Sequence, residues 1–128
     1  QLAVIKRMVR DLNMDIEIIG CPIVREEDGL AKSSRNTYLS PEERKAALIL
    51  SKTVALGKEL AKTEKYANKV VEAMKKNIET EPMAKIDYVE AVDALSMEPV
   101  EKLEGTCMLA MAVYIGKTRL IDNTLINE

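Results

Sequence analysis

The sequence contains no histidine, tryptophan or phenylalanine, and four tyrosines are its only aromatic residues. Without histidine the chain lacks the most common general base and the residue that most catalytic triads require. Its two cysteines, Cys21 and Cys107, lie in apolar stretches and are expected to be buried, reduced thiols of a cytoplasmic protein. Two separated cysteines without histidine also argue against a zinc site. Any histidine-dependent step must therefore come from residues outside this sequence.

Long apolar runs and an excess of one charge are also missing. No apolar stretch approaches the roughly 20 residues that a membrane-spanning helix needs, so no membrane association is expected. The first residues carry Lys6, Arg7 and Arg10 among apolar ones, unlike a signal peptide. The net charge is −2, with lysine and arginine spread along the chain, so a nucleic-acid partner is not expected. With 47% apolar and 31% charged residues, the chain has the composition of a globular protein with its own core.

Residues 1–24 have the pattern of a helix followed by a strand. Apolar side chains of residues 2–12 share one helical face, and Asn13 suits the helix end. Residues 16–24 form a dense apolar run that predicts a buried strand of the kind found in parallel sheets. Gln1 opens the helical pattern with no capping residue before it, so we expect the sequence to be part of a longer protein. A helix followed by such a strand is typical of an α/β sheet, and we place a domain boundary near residue 25.

Residues 25–128 predict an α+β domain of two helices and a three-stranded antiparallel sheet. Ser40, Pro41 and Glu43 have the spacing of a capping box at the start of a helix that reaches about residue 61. Apolar residues at every fourth position predict a second helix over residues 65–79. Three strands are predicted over residues 86–92, 107–115 and 119–121, with a tight turn at residues 116–117 between the last two.

A polar loop connects the two parts. Residues 25–29 are charged and contain an Asp-Gly turn signal, and residues 32–35 place two cations and two hydroxyls side by side. Phosphate oxygens only accept hydrogen bonds, so such a group of donors suits a triphosphate. The Gly-x-x-x-x-Gly-Lys motif of a P-loop is absent. Short clusters of this kind are commonly solvated loops, and the acidic Glu26, Glu27 and Asp28 are expected to be solvated rather than to bind magnesium.

Four blocks of the sequence, in order, resemble the pantothenate synthetase (pantoate–β-alanine ligase) family. The longest covers residues 19–40 and includes Gly20-Cys21-Pro22-Ile23-Val24-Arg25 and Lys32-Ser33-Ser34-Arg35-Asn36. The others are Gln1-Leu2 with Arg7-Met8-Val9-Arg10-Asp11-Leu12-Asn13, Ile86-Asp87-Tyr88-Val89-Glu90, and Thr118-Arg119-Leu120-Ile121-Asp122-Asn123.

The resemblance implies the C-terminal portion of an enzyme related to class I aminoacyl-tRNA synthetases and other nucleotidyltransferases. Residues 1–24 would be the last helix and strand of a Rossmann-like N-terminal domain, and residues 25–128 a C-terminal lid domain that carries the ATP-binding loop. The family is an AMP-forming carbon–nitrogen ligase of coenzyme A (vitamin B5) biosynthesis. Pantoate attacks the α-phosphate of Mg-ATP to give pantoyl adenylate, and β-alanine then displaces AMP. No prosthetic group and no resident metal are implied.

The resemblance also implies roles for individual residues. Val24 matches a backbone contact to adenine, Cys21 lines the same pocket, and Gln1 matches the glutamine that holds pantoate. Lys32 and Arg35 are candidates for stabilising charge in the transition state. The ATP-phosphate loop is matched by Lys32, Ser33, Ser34 and Arg35.

The family's His-x-Gly-His motif belongs to an N-terminal domain and is absent from this sequence. We therefore expect the chain to be inactive alone and to need that domain, within an enzyme that is usually a homodimer. We also expect the chain to associate with itself through the apolar residues 1–24. Three other interpretations stay open, namely a free-standing nucleotide- or phosphate-binding module without catalysis, a structural interaction domain and a nucleic-acid binder.

Three further positions are predicted to be structural. Arg119 is expected to form a surface salt bridge, and Asp122-Asn123 a turn that ends the last strand. Tyr38 is expected to pack the polar loop against the helix that follows it.

Overall fold

The computed structural model describes residues 1–128 and contains four α-helices, one 3₁₀ helix and one antiparallel sheet. The predicted α+β arrangement of residues 25–128 is confirmed. The elements, in chain order, are α1 (Leu2–Asp11), the 3₁₀ helix (Ser34–Tyr38), α2 (Pro41–Ala46), α3 (Leu48–Leu60), α4 (Ala67–Glu79), β1 (Ala84–Asp93), β2 (Cys107–Ile115) and β3 (Thr118–Ile126). No helix combines the length and the apolar character that crossing a bilayer would require.

The predicted start of α2 is confirmed in its hydrogen bonds. The Ser40 hydroxyl oxygen accepts the backbone N–H of Glu43 at 3.1 Å, and the Glu43 carboxylate accepts the backbone N–H of Ser40 at 2.9 Å. This capping box satisfies amides that have no partner within the helix. The predicted single helix over residues 41–61 is instead divided at Ala47, where Leu50 N–H bonds the Ala47 carbonyl three residues earlier.

The sheet has the strand order β1-β2-β3, so that each strand pairs only with its neighbour in the chain. Ile115 of β2 lies opposite Thr118 of β3, which confirms the two-residue turn at Gly116-Lys117. Gly116 has φ +58°, a conformation that glycine adopts without steric strain. The pairing of β1 with β2 shifts between Ile86 and Tyr88, so that a bulge forms at Asp87.

The hydrophobic core lies between the sheet and the helix pair α3 and α4. It contains 19 buried side chains, among them Leu50, Met74 and Leu109, which are at most 1% exposed. Gly57 allows the close approach of α3, because a Cβ atom there would lie 2.6 Å from Met74 Sδ and 2.9 Å from Leu109 Cδ1. Asn77 Nδ2 of α4 donates to Thr53 Oγ1 of α3 at 2.8 Å, so the one buried hydroxyl of this core has a partner.

Residues 1–24 contain the predicted helix but not the predicted strand. Residues 16–24 belong to no strand, and only the adjoining Arg25 forms an isolated bridge, to Ala31. The physical reason is that a strand requires a neighbour to receive its backbone hydrogen bonds, and none lies beside this segment. Many apolar side chains of residues 1–24 are exposed, including Val4 (65%), Leu12 (66%) and Ile19 (74%).

Candidate functional site

A cleft of about 450 Å³ lies between the polar loop and β3. Its walls are residues 30–36 of the loop and residues 119–123 of β3, with Ile23 and Leu50 completing the lining. All four predicted phosphate-loop residues line this cleft. The fold therefore brings the loop to one face of the sheet, although the loop and β3 are far apart in the sequence.

The loop is shaped by hydrogen bonds between its own residues. The Ser33 hydroxyl oxygen accepts the backbone N–H of Arg35 at 3.2 Å and caps the 3₁₀ helix. Thr37 Oγ1 donates to the Ser34 carbonyl at 2.7 Å, and Asn36 Nδ2 donates to the Ala31 carbonyl at 3.0 Å. The loop thus has a defined backbone path even though the side chains of Lys32, Ser33, Ser34 and Arg35 are exposed.

The two cations of the loop make only weak contacts within the protein. Lys32 Nζ lies 3.9 Å from Glu26 Oε2, beyond hydrogen-bonding distance, and Arg35 Nη1 lies 3.4 Å from the Arg119 carbonyl oxygen. Pairs this long and this exposed contribute little to stability. Most of the donor capacity of Lys32 and Arg35 is therefore directed to solvent, where an anionic ligand can bind.

Arg119, a third cation at the cleft, is already paired. Its Nε donates to Asp87 Oδ2 at 2.9 Å, and both side chains are partly exposed. This confirms the predicted surface salt bridge. The hydrogen bond to Asp87 raises the pKa of Arg119, and Asp87 lies at the β-bulge of β1.

A partly buried ion pair lies beside the cleft, where Asp122 is part of the lining, and sequence reasoning missed it. Arg25 Nη1 and Nη2 donate to the two carboxylate oxygens of Asp122 at 2.8 and 2.9 Å. The Asp122 side chain is 1% exposed, and its hydrogen bonds raise the pKa of Arg25. The prediction of a turn at Asp122-Asn123 was wrong, because β3 continues to Ile126 and pairs along its whole length with β2.

The acidic part of the loop is also engaged in an ion pair. Arg44 at the end of α2 donates to Asp28 at 3.0 Å, and this bond holds the pKa of the exposed Asp28 carboxyl below its usual range. Asp28 Oδ1 lies 3.4 Å from the backbone N–H of Leu30, across the turn that contains Gly29. No three acidic or cysteine side chains come together in an arrangement that could hold a metal ion.

The other predicted site residues do not line this cleft. Val24 is exposed and adjoins the loop, because its carbonyl accepts the Lys32 N–H at 2.9 Å. Gln1 is exposed, and its side chain makes no capping hydrogen bond to α1. Two predictions were wrong: Cys21 is exposed rather than buried, and Tyr38 is 76% exposed rather than packed against a helix.

A second cleft of about 500 Å³ lies elsewhere, between α4, β1 and residues 99–101. Its charged residues are Glu90 and Glu101, and it contains no lysine or arginine. It therefore lacks the cationic donors that a phosphate requires.

Comparison with known proteins gives a consistent result. The family model described as pantoate-beta-alanine ligase matches residues 1–125. The chain is 63% identical to the pantothenate synthetase of Enterococcus faecalis and 64% identical to that of Clostridium acetobutylicum, in each case over 124 residues. These matches cover 96% of the chain but only 44% of each relative, so the chain spans less than half of their length.

Solved structures agree. The pantothenate synthetase of Thermus thermophilus is 37% identical with a TM-score of 0.88, and the match covers 96% of the chain and 45% of that protein. The pantoate-beta-alanine ligase of Francisella tularensis, solved with beta-gamma ATP and beta-alanine, is 28% identical with a TM-score of 0.56. The second match covers 98% of the chain and 39% of that protein.

Proposed function

Because the chain belongs to the pantoate-β-alanine ligase family, we propose that it supplies the ATP-phosphate loop and lid of a ligase that forms pantothenate. The observation that carries this proposal is the loop of residues 32–35, whose two cations face a cleft without strong protein partners. The Francisella relative, solved with beta-gamma ATP and beta-alanine, supports ATP and an amine as the substrates.

The reaction proceeds in two steps. A pantoate carboxylate oxygen forms a bond to the α-phosphorus of Mg-ATP while the bond to pyrophosphate breaks, which gives pantoyl adenylate. The β-alanine nitrogen then forms a bond to the pantoyl carbon, AMP leaves with the electron pair of the broken C–O bond, and the amine releases a proton. Negative charge grows on the leaving pyrophosphate in the first step, and Arg35 and Lys32 stabilise it. The hydroxyls of Ser33 and Ser34 donate to phosphate oxygens.

Residues before the loop bind the rest of the nucleotide. The Val24 N–H has no acceptor within the protein and can donate to an adenine nitrogen next to the phosphate loop. Cys21 lines the adenine pocket, and Gln1 holds pantoate. The histidines that would grip ATP lie in the family's N-terminal domain, so this chain alone is inactive. The full-length protein acts as a homodimer in the cytoplasm.

The test is a chimera in which residues 1–125 replace the matching part of the Enterococcus faecalis pantothenate synthetase, to which 124 residues are 63% identical. We expect the chimera to form pantothenate from pantoate, β-alanine and Mg-ATP. The 128-residue chain alone should form none, because a phosphate loop without the opposing wall cannot hold both substrates in attack geometry.

Two controls make the result decisive. The Enterococcus part without the exchanged segment should be inactive, and the intact Enterococcus enzyme sets the full rate. A folded but inactive chimera that still binds Mg-ATP would favour a nucleotide-binding module without catalysis. Activity of the 128-residue chain alone would overturn the need for the histidines.

Residues 1–24 are proposed to be a contact surface for protein, either the N-terminal domain or a second copy. Their exposed apolar side chains support this, because apolar surface of this kind favours association. Light scattering should show that the chain forms dimers at high concentration, and Val4→Glu with Ile19→Glu should return it to a monomer. Leu95→Glu, at an equally exposed leucine outside the segment, is the control. A monomer at all concentrations would contradict self-association through residues 1–24.

A further inference from the structure

The Arg25–Asp122 ion pair occupies an unusual position for a charge. Asp122 lies on the face of β3 that also buries Leu120 and Ile126, and it is opposite the fully buried Met111 of β2. Strand alternation would place an apolar side chain there. A buried carboxylate is unfavourable unless it is paired and hydrogen-bonded. Asp122 meets that condition with two bonds from Arg25 and one from the backbone N–H of Asn123 at 2.8 Å.

Stability alone does not account for such a pair. Buried ion pairs are often no more stabilising than apolar side chains of the same volume. Geometry is a better explanation, because a planar guanidinium bound by both nitrogens to a carboxylate has a fixed direction as well as a fixed distance. Arg25 Nη1 also donates to the Gly29 carbonyl at 3.0 Å. One guanidinium therefore ties the turn at residues 26–29 to the sheet.

The turn held by Arg25 leads directly into the phosphate loop. Arg25 and Ala31 form a bridge across the base of the turn, and the Lys32 N–H bonds the Val24 carbonyl beside it. The Ala31 carbonyl then accepts the side-chain amide of Asn36 on the far side of the loop. The path from Asp122 to Lys32 and Asn36 is thus a continuous chain of bonds, and Arg25 and Asp122 act at its start without having to touch a ligand.

We propose that Arg25 and Asp122 are positioning residues, which hold the loop of residues 32–35 at the distance from β3 that a triphosphate requires. The identity of the ligand, a triphosphate, rests on the proposed function. The effect of Arg25 and Asp122 on the position of the loop can be tested without a ligand. The pair acts on the loop and not on the reacting atoms. Its removal should therefore loosen one segment of a chain that remains folded.

Trypsin provides the first test, because it cuts after Lys32 and Arg35 only when the loop opens locally. Asp122→Asn keeps the shape of the side chain and removes its charge. We expect cleavage after Lys32 and Arg35 of the 128-residue chain to become about tenfold faster or more, while sites in α3 and α4 stay resistant. The control is Val70→Ala, which loosens the fully buried core side of α4 and leaves the loop bonds intact.

The outcomes separate positioning from stability. Selective cleavage in Asp122→Asn, but not in Val70→Ala, supports a positioning role. Unchanged cleavage, or faster cleavage at all sites in both variants, would overturn it. Mg-ATP added to the chimera with the wild-type loop should slow cleavage after Lys32 and Arg35. If it does not, the proposed ligand fails while the positioning role stands.

Kinetics in the chimera provide the second test. Asp122→Asn should raise the KM for ATP by about tenfold and leave the KM for β-alanine unchanged, because only the phosphate loop is displaced. A purely structural role would lower the amount of active enzyme, and hence the apparent kcat, without changing either KM. An unchanged KM for ATP in an active chimera would therefore also overturn the inference.

Discussion

Arg35→Ala, introduced into the active chimera, is expected to lower kcat/KM by about 100- to 1,000-fold, the range found when one preorganised donor to a transition-state charge is removed. Arg35 lies at the cleft between the polar loop and β3, and its guanidinium makes one long hydrogen bond within the protein, to the Arg119 carbonyl. Its guanidinium can therefore bind two phosphate oxygens at once. The loss should appear mainly in kcat for adenylate formation, measured as pyrophosphate release.

The chain offers a matched control for this prediction. Arg119 lines the same cleft, but its guanidinium is bound to Asp87, so Arg119→Ala should reduce kcat/KM far less. Arg35→Lys keeps the charge but cannot form bidentate hydrogen bonds to two phosphate oxygens, so we expect its activity to lie between those of wild type and Arg35→Ala. If Arg35→Ala lowers kcat/KM no more than Arg119→Ala does, Arg35 does not stabilise the transition state.

Ile115→Ala is expected to lower the free energy of unfolding by about 2–5 kcal/mol, the usual effect of truncating a buried isoleucine. Ile115 ends β2 and is 0% exposed within the core. Removing its side chain leaves a space that the neighbouring strands and helices can fill only in part. Urea unfolding of the 128-residue chain, followed by far-ultraviolet circular dichroism, measures the change.

Ile121→Ala is the matched control for this experiment. Ile121 is in the adjacent strand, is the same residue type and is 55% exposed. Both variants lose the same intrinsic preference for β structure, so the difference between them isolates burial. We expect Ile121→Ala to cost less than about 1 kcal/mol. Equal losses in the two variants would contradict the placement of the core.

Local patterns in the sequence were sufficient for most of the fold. The capping box at Ser40 and Glu43 involves residues three apart, and α4 follows from a repeat of four. The hairpin of β2 and β3 is closed by a turn at Gly116. In each case the residues that set the structure are neighbours in the chain, so the sequence displays the pattern directly. The phosphate-loop residues were also found, because their chemistry is concentrated in four consecutive positions.

The errors concern residues whose partners are distant in the chain. The apolar run over residues 16–24 predicts a strand, but pairing depends on a neighbour that no local pattern specifies. Asp122 was assigned to a turn because Asp-Asn is a common turn pair, whereas its structural role depends on Arg25. The predictions that Cys21 and Tyr38 are buried failed for the same reason, because the burial of a side chain depends on residues that are distant in the chain. One signal was present: an acidic residue between the buried Leu120 and Ile126 in a strand requires a cationic partner.

The separation of Arg25 and Asp122 by 97 residues has a consequence for biosynthesis. The ribosome adds residues from the amino terminus, so the polar loop leaves the exit tunnel long before β3 is made. During that interval the loop residues are all present, but Arg25 has no carboxylate to bind. The cleft thus comes into existence only when the last strand is translated. A prematurely terminated product that ends before β3 carries every phosphate-loop residue and still lacks the wall that faces them.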